Sequence, residues 1–312
     1  MRNSTGRWSA ELALQGIRTR FEADDPALLA AALAPYRAWR HARPREPASP
    51  LRLRLLLGRG DAAAGAPELR VSGAGLSLRA PGVRGAADAH ARTAWCVVTR
   101  DLLADPDRLA AEVVDPLVLF LLTRAGRVPL HAAGVVMGDT AVVLAGPSGV
   151  GKSTLALAAR RAGLRVLSDD AVHVQLDPRM RVWGLPRPIH LLPHTPLEPH
   201  EGGAVPRLRA GRWKLAVPLE EDPPCEPVAE RAVLFLLERG PIAHASQIGP
   251  DEALARILGA LEPGFDHFRE EIPVVVRALA AGGAWRLRLS PDPGEGLAAL
   301  REVIGRPLSV HR

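Results

Sequence analysis

The run Thr140-Ala141-Val142-Val143-Leu144-Ala145-Gly146-Pro147-Ser148-Gly149-Val150-Gly151-Lys152-Ser153-Thr154 decides how this chain is read. It contains a complete G-x-x-x-x-G-K-[ST] pattern, led in by an apolar stretch and followed by the helix-forming residues Thr154 to Arg160. The order strand, glycine turn, helix start is what a phosphate cradle requires. Glycines let the backbone curl so that its N–H groups face phosphate oxygens, and the helix adds its unpaired N–H groups and positive dipole end. We therefore assign Gly146, Ser148, Gly149, Val150, Gly151, Lys152, Ser153 and Thr154 to a nucleoside-phosphate site. Lys152 is placed to reach the β- and γ-phosphates, and Ser153 to ligate Mg²⁺.

Composition excludes several classes. The net charge is +6, which invites a nucleic-acid reading, but Lys152 and Lys214 are the only lysines among 40 basic residues. The arginines are spread without blocks of like charge, and the aromatic residues do not interleave with them as a stacking surface would. Against that background the two lysines stand out, because a compact ammonium does not do the work of a guanidinium fork. Cys96 and Cys225 have neither metal-ligand spacing nor a partnered motif, which points to a reducing compartment without a disulfide framework. The charged N-terminus lacks the apolar core of a signal peptide, and Pro116 to Leu122 falls far short of the ~20 residues that span a bilayer. A cytoplasmic protein with no nucleic-acid and no membrane partner is expected.

Along the chain, Asp25-Pro26 opens a helix through Leu33, Leu51 to Leu55 alternates as a half-buried strand does, and Leu69–Val71 and Leu76–Arg79 flank a glycine turn as a hairpin. Ala94 to Val98 reads as another strand, after a proline-rich connection from Arg43 to Pro50. Asp105-Pro106 opens a helix running to Leu122 and stopped at Arg124-Ala125-Gly126. A domain boundary is placed near residue 105, giving a small N-terminal α/β domain over 1–105 and a catalytic domain over 106–312. Val128 to Met137 reads as one strand that turns at Gly138-Asp139 into the loop-bearing strand. Later, Trp285 to Leu289 reads as a strand and Gly294 to Ile304 as a closing helix.

Asp169 and Asp170 follow a short apolar strand, seventeen and eighteen residues after Lys152. Phosphoryl transfer needs a carboxylate for Mg²⁺ and often a second to accept the acceptor hydroxyl's proton. Strand neighbours point to opposite sides, so one aspartate is expected to face the metal and the other the acceptor. His131 opens the strand paired with the loop-bearing one. His173, His190, His194 and His200 scatter without zinc-ligand spacing.

His131 to Met137, Gly146 to Ser153 and Leu167-Ser168-Asp169-Asp170 together resemble the catalytic domain of HPr kinase/phosphorylase and its relatives, which share a fold with ATP-type phosphoenolpyruvate carboxykinases. The resemblance is sharp over residues 131–170. It implies an α/β P-loop kinase domain in which Asp169 accepts the hydroxyl proton, Ser153 and Asp170 ligate Mg²⁺, His131 lies beside them, and ATP is the donor. It also implies a possible homo-oligomer, since those kinases form rings. One position departs: Arg181 stands where the family has a metal-binding Glu, which argues against HPr as acceptor and against reverse phosphorolysis. The chain looks more like the HPr-kinase-related enzymes of peptide-modification clusters, so the expected partner is a peptide or protein carrying an acceptor serine. On the acceptor side, Arg187 in the Gly184-to-Pro188 turn is expected near the aspartates. The segment from His194 to Pro206 is expected to be a lid, with Arg212 or Lys214 neutralising developing charge. A metabolite kinase and a non-catalytic nucleotide-binding scaffold are the competing readings. Guanylate kinases and ABC ATPases carry similar loops, but the ~145 residues before this one and the missing signature segments argue against both.

Overall fold

The computed structural model describes residues 7–60, 67–193, 195–197, 203–209, 212–219, 226–262 and 264–305. The chain divides into two compact units, residues 1–127 with 222–226, and residues 128–221 with 227–312. Both are mixed α/β. Among the described residues no helix is long and apolar enough to cross a membrane.

The first unit holds strands β1 (Trp8–Leu14), β2 (Ile17–Ala23), β3 (Leu51–Leu57), β4 (Glu68–Ser72), β5 (Gly75–Ala80), β6 (Val83–Asp88) and β7 (Thr93–Val98) in one sheet, ordered β1-β2-β3-β7-β6-β5-β4. In β3 the leucines at 51, 53 and 55 are buried and the arginines between them exposed, as the period of two requires. Helix α1 (Pro26–Leu33) carries the chain from β2 to the parallel β3. Its N-cap Asp25 accepts from the Ala27 and Leu28 amides at 2.7 and 3.2 Å.

Helix α2 (Pro106–Leu109) runs through a π-turn into α3 (Asp115–Arg124). This corrects the boundary expected near residue 105. The apolar run buries Leu117, Phe120 and Leu121 within the first unit, and α3 packs on β6 and β7. At Gly85 in β6 a Cβ would already lie 3.3 Å from Leu117 Cδ1. Gly126, at φ +83°, stops α3.

The second unit begins with a further correction. Val128 to Met137 is two strands, β8 (Val128–Leu130) and β9 (Ala132–Met137), in different sheets, and the chain crosses between them at His131. β9 turns at Gly138 (φ +62°) into β10 (Thr140–Ala145). The glycine-rich segment leads to α4 (Lys152–Arg161), then β11 (Arg165–Ser168), β12 (Val172–Gln175), β13 (Arg181–Trp183) and β14 (Ile189–Leu191). β15 (Val205–Arg209), β16 (Arg212–Val217), β17 (Val228–Ala229), β18 (Arg231–Arg239), β19 (His244–Gln247), α5 (Pro250–Gly259), α6 (Ile272–Ala281), β20 (Ala284–Leu289) and α7 (Pro293–Gly305) complete it.

The central sheet is ordered β11-β9-β10-β18-β20-β19, and β10, β18 and β20 run parallel. Alternate residues of each strand feed two separate cores. Ala141, Val143, Leu234 and Leu236 join α5, α6 and the second sheet, β17-β13-β12-β8. Val142, Leu144, Val233 and Phe235 join α4 and α7 on the other face. Cover on both faces explains why β10 is apolar at every position rather than alternating. The third sheet, β14-β16-β15, is anchored on α4 through Leu157, Ile189, Leu191 and Val217.

Candidate active site

The loop leaves β10 at its carboxyl end, beside the carboxyl end of the parallel strand β18, where open α/β sheets place their ligand crevice. Gly146, Gly149 and Gly151 have φ of +148°, +79° and +124°, backbone that side-chain-bearing residues rarely adopt. At Gly151 a Cβ would also lie 3.0 Å from Leu289 Cδ1. Ser148 and Gly149 are exposed at the outer turn, while Val150 is buried in the core beside α4. Gly151 caps α4 without any side-chain hydrogen bond, so the first amides of the helix, through Ser153 and Thr154, remain available to an anion.

Lys152 is buried, and its Nζ donates to the carbonyls of Gly146 (2.7 Å) and Pro147 (3.2 Å). Burial lowers its pKa first of all, and the charges of Glu262, Asp170 and Asp169 pull it back up. The lysine of the loop and both aspartates therefore share one electrostatic neighbourhood.

The aspartates are not arranged as strand neighbours. β11 ends at Ser168 after a register shift between Val166 and Ser168, and Asp169 and Asp170 follow in a bend. With the strand ended, the alternation that would send them to opposite sides no longer holds. Both converge on His190: one ligand atom from each of Asp169, Asp170 and His190 lies within 4.8 Å of the other two. Asp169 is 1% exposed, and its Oδ2 accepts the His190 amide at 2.8 Å. Its Oδ1 is buried without a hydrogen-bond partner. Burial and then the charge of Asp170 push the Asp169 carboxyl up to about 7, against the His190 amide, the Ser153 hydroxyl and Lys214.

Backbone contacts fix this corner. Ser168 Oγ donates to the Leu185 carbonyl at 3.1 Å, and the Gly184 amide donates to that of Pro227 at 2.7 Å. A Cβ at Gly184 would sit 2.1 Å from the Leu167 carbonyl oxygen, so only glycine permits this approach. The turn that carries Arg187, half-buried, is thereby held against the strand end that carries the aspartates.

His131, at the crossing between sheets, has Nε2 3.1 Å from Glu262 Oε1 and packs edge-on against Phe265, with ring centroids 5.2 Å apart. It borders an apolar recess lined by Leu130, Ala145, Ile257 and Leu261 beneath Gly146. Burial first, then the charge of Lys152, lowers its pKa, while Glu262 and Asp170 oppose this. Lys214, on β16, is close enough for its charge to act on Asp169, Lys152 and His131. Arg212 is exposed two residues earlier, with no hydrogen bond or ion pair to the cluster among the described residues. Of the expected lid, residues 194 and 198–202 lie outside the described residues.

Arg181, at the departing position, is 4% exposed, and its Nε donates to Glu230 Oε1 at 3.2 Å. It is committed to the fold. Three residues that sequence reasoning did not single out join the site: His190, Glu262 and Arg239. Arg239 ends β18 and donates to the Gly149 carbonyl at 3.4 Å, and no ion pair neutralises it among the described residues. None of the three belongs to a local motif; the one available signal was the position of Arg239 at the end of an apolar strand.

The donor set fits a divalent cation, with two carboxylates, one of them carrying an unpartnered buried oxygen, next to a hydroxyl-bearing helix start. No protein-family model and no curated protein matches the chain. Among solved structures it is similar to the Hpr(Ser) kinase/phosphatase from Coxiella burnetii, at 13% identity over 56% of this chain and 95% of that one, with a TM-score of 0.27. Likeness at that level establishes no function, and the reading below rests on the geometry of the site.

Proposed function

We propose that the second unit is an ATP- and Mg²⁺-dependent phosphotransferase of the HPr-kinase/carboxykinase type, acting on a serine hydroxyl of a peptide or protein. The observation that carries this reading is the buried Asp169 carboxylate, pinned by the His190 amide at 2.8 Å, in one charge cluster with the lysine that ends the glycine loop. A general base works best when its pKa lies near the operating pH, and Asp169 meets that condition. Lys152 exchanges the carbonyls of Gly146 and Pro147 for oxygens of the β- and γ-phosphates, while the loop amides and the start of α4 orient the chain of phosphates. Asp169 takes the proton as the acceptor oxygen bonds to the γ-phosphorus and the bond to the β-phosphate bridge oxygen breaks, leaving ADP. A divalent ion held by Ser153 and Asp170 supplies, when bound, charge neutralisation for the β- and γ-phosphates. Lys214 adds positive charge on the acceptor side.

The test incubates the full chain with Mg²⁺ and γ-labelled ATP, offering serine-containing peptides encoded by neighbouring genes in one arm and a panel of small hydroxyl compounds in the other. Label on the peptide, lost in Lys152→Ala, is the expected outcome. Label on a small compound alone replaces the acceptor class, and turnover retained in Lys152→Ala overturns the placement of the donor.

A further inference from the structure

We propose that the outer face of the first unit's seven-stranded sheet docks an acidic segment of the acceptor. One apolar side chain of that segment rests on Trp95, and the arginines around it take its carboxylates. This deepens the phosphotransferase reading and rests on it for calling the partner an acceptor, though not for the docking itself.

The sheet is covered on one side. Leu51, Leu53 and Leu55 of β3 are buried on that side, where α1 and α3 pack. On the other side β3 presents Arg52 and Arg54, β7 Trp95, β6 Arg84 and β5 Arg79, all exposed. These residues are scattered in sequence, and the strand register gathers them. Arg54 lies directly opposite Trp95, with Arg52 at one diagonal on β3 and Arg84 at another on β6. Diagonal neighbours are about 7–8 Å apart, within reach of long side chains. Trp95 is 43% exposed on the middle strand of the seven, and tryptophan and arginine are the residues that dominate docking surfaces.

Charge selects the partner. On the same face Arg18, Arg20 and Arg70 are neutralised by Glu11, Glu22 and Glu68, at 3.2, 2.8 and 2.8 Å. Arg52, Arg54, Arg79 and Arg84 make no side-chain hydrogen bond or ion pair among the described residues. Arg79 and Arg84 stand directly opposite each other. Like charges so placed destabilise a sheet, and a carboxylate between them removes that penalty, because a guanidinium takes a carboxylate through two parallel hydrogen bonds. From β3 to β5 is three strand spacings, about 14 Å, which an extended peptide crosses in about four residues. The fitting ligand carries acidic residues about four apart with an apolar one between them. A nucleic-acid strand fits less well. Glu22 and Glu68 border the basic island, whereas a polyanion gains its affinity from a run of phosphate contacts.

The experiment reads the fluorescence anisotropy of labelled probes on the full chain. The probes are a peptide with glutamates four residues apart around a phenylalanine, its glutamine counterpart, and an oligouridylate of equal length. The glutamate peptide is expected to bind at least tenfold more tightly than either of the others. Trp95→Ala and Arg84→Glu are each expected to weaken it at least tenfold, and Arg18→Gln less than threefold. Urea midpoints check that the variants are folded, and all of them are expected to bind a fluorescent ATP analogue as wild type does. In the labelling assay, excess glutamate peptide is expected to raise the acceptor's KM without lowering kcat. Equal binding of the glutamine peptide, tighter binding of the oligouridylate, or indifference to both Trp95→Ala and Arg84→Glu would overturn the inference. So would a KM that ignores the competitor, and a dimer that dissociates in Trp95→Ala would give the face to a second copy instead. Docking with the expected pattern in a chain that labels no hydroxyl would remove the phosphotransferase reading and leave the surface standing.

Discussion

Replacing Asp169 by Asn should make the metal-free protein progressively more stable than wild type as pH rises, and should abolish transfer if the proposed base is the right one. The Asp169 carboxyl moves from an ordinary 3.8 in the unfolded chain to about 7 in the fold, chiefly through burial. A raised carboxyl pKa means that the native state holds a proton the unfolded chain has already released. Between about pH 4 and pH 7 stability therefore falls with rising pH. About three pH units at ~1.4 kcal/mol each give about 4 kcal/mol of stability lost by pH 8, an upper figure. Asn keeps an oxygen for the His190 amide, and weakening that charge-assisted bond costs about 1 kcal/mol, so removal of the buried charge wins. Urea midpoints of both proteins at pH 5 and pH 8 test this. The stability of Asp169→Asn relative to wild type should improve by about 2–4 kcal/mol between the two pH values, and by much less when a divalent ion is present to neutralise wild type. A difference that stays constant with pH would refute the buried, ionisable placement of Asp169.

Gly184→Ala should lower stability by about 3 kcal/mol or more, since its Cβ would fall 2.1 Å from the Leu167 carbonyl oxygen and the backbone must retreat. The displaced segment leads into Ser168 and the aspartates, so divalent-ion affinity should fall with it, and an unchanged urea midpoint would contradict the contact. Arg239→Ala should weaken nucleotide binding about tenfold, roughly the ~1.4 kcal/mol of one charged contact to phosphate, because the guanidinium stands at Gly149 without an acidic partner among the described residues. Equal affinity of wild type and Arg239→Ala for the fluorescent analogue would place that side chain outside the donor site.

The backbone of the glycine loop and its flanking elements was legible because what shapes it is local. Gly146, Gly149 and Gly151 adopt backbone only glycine enters freely, and the strand before them and the helix after them announce themselves by apolar run and helix propensity. The β3 alternation and the Asp25 cap were equally readable. The crossing at His131 was not, because β8 and β9 are both buried throughout and an unbroken apolar run carries no mark of changing sheets. The apolar helix from Pro106 announced burial without saying against what, which moved the boundary between units. The aspartates were read as strand neighbours because the point where β11 ends is set by pairing with β9, not by residue type. His190 and Glu262 come from segments distant in sequence, and only the folding of the chain makes them neighbours of Lys152 and Asp169.

The three sheets of the second unit are unequally rooted. β10, which launches the glycine loop, lies mid-sheet between two extensive apolar masses, whereas the sheet of β14, β15 and β16 rests on Leu157 of α4 through three buried side chains, Ile189, Leu191 and Val217, among the described residues. Opening that small platform exposes little apolar surface, so it can detach or remodel at modest cost while the framework around the glycine loop stays closed. Amide exchange would then be slowest along β10 and faster at Ile189 and Val217. Mutations that retune what docks near Lys214 are consequently tolerated with less damage to the rest of the unit than mutations beneath the loop.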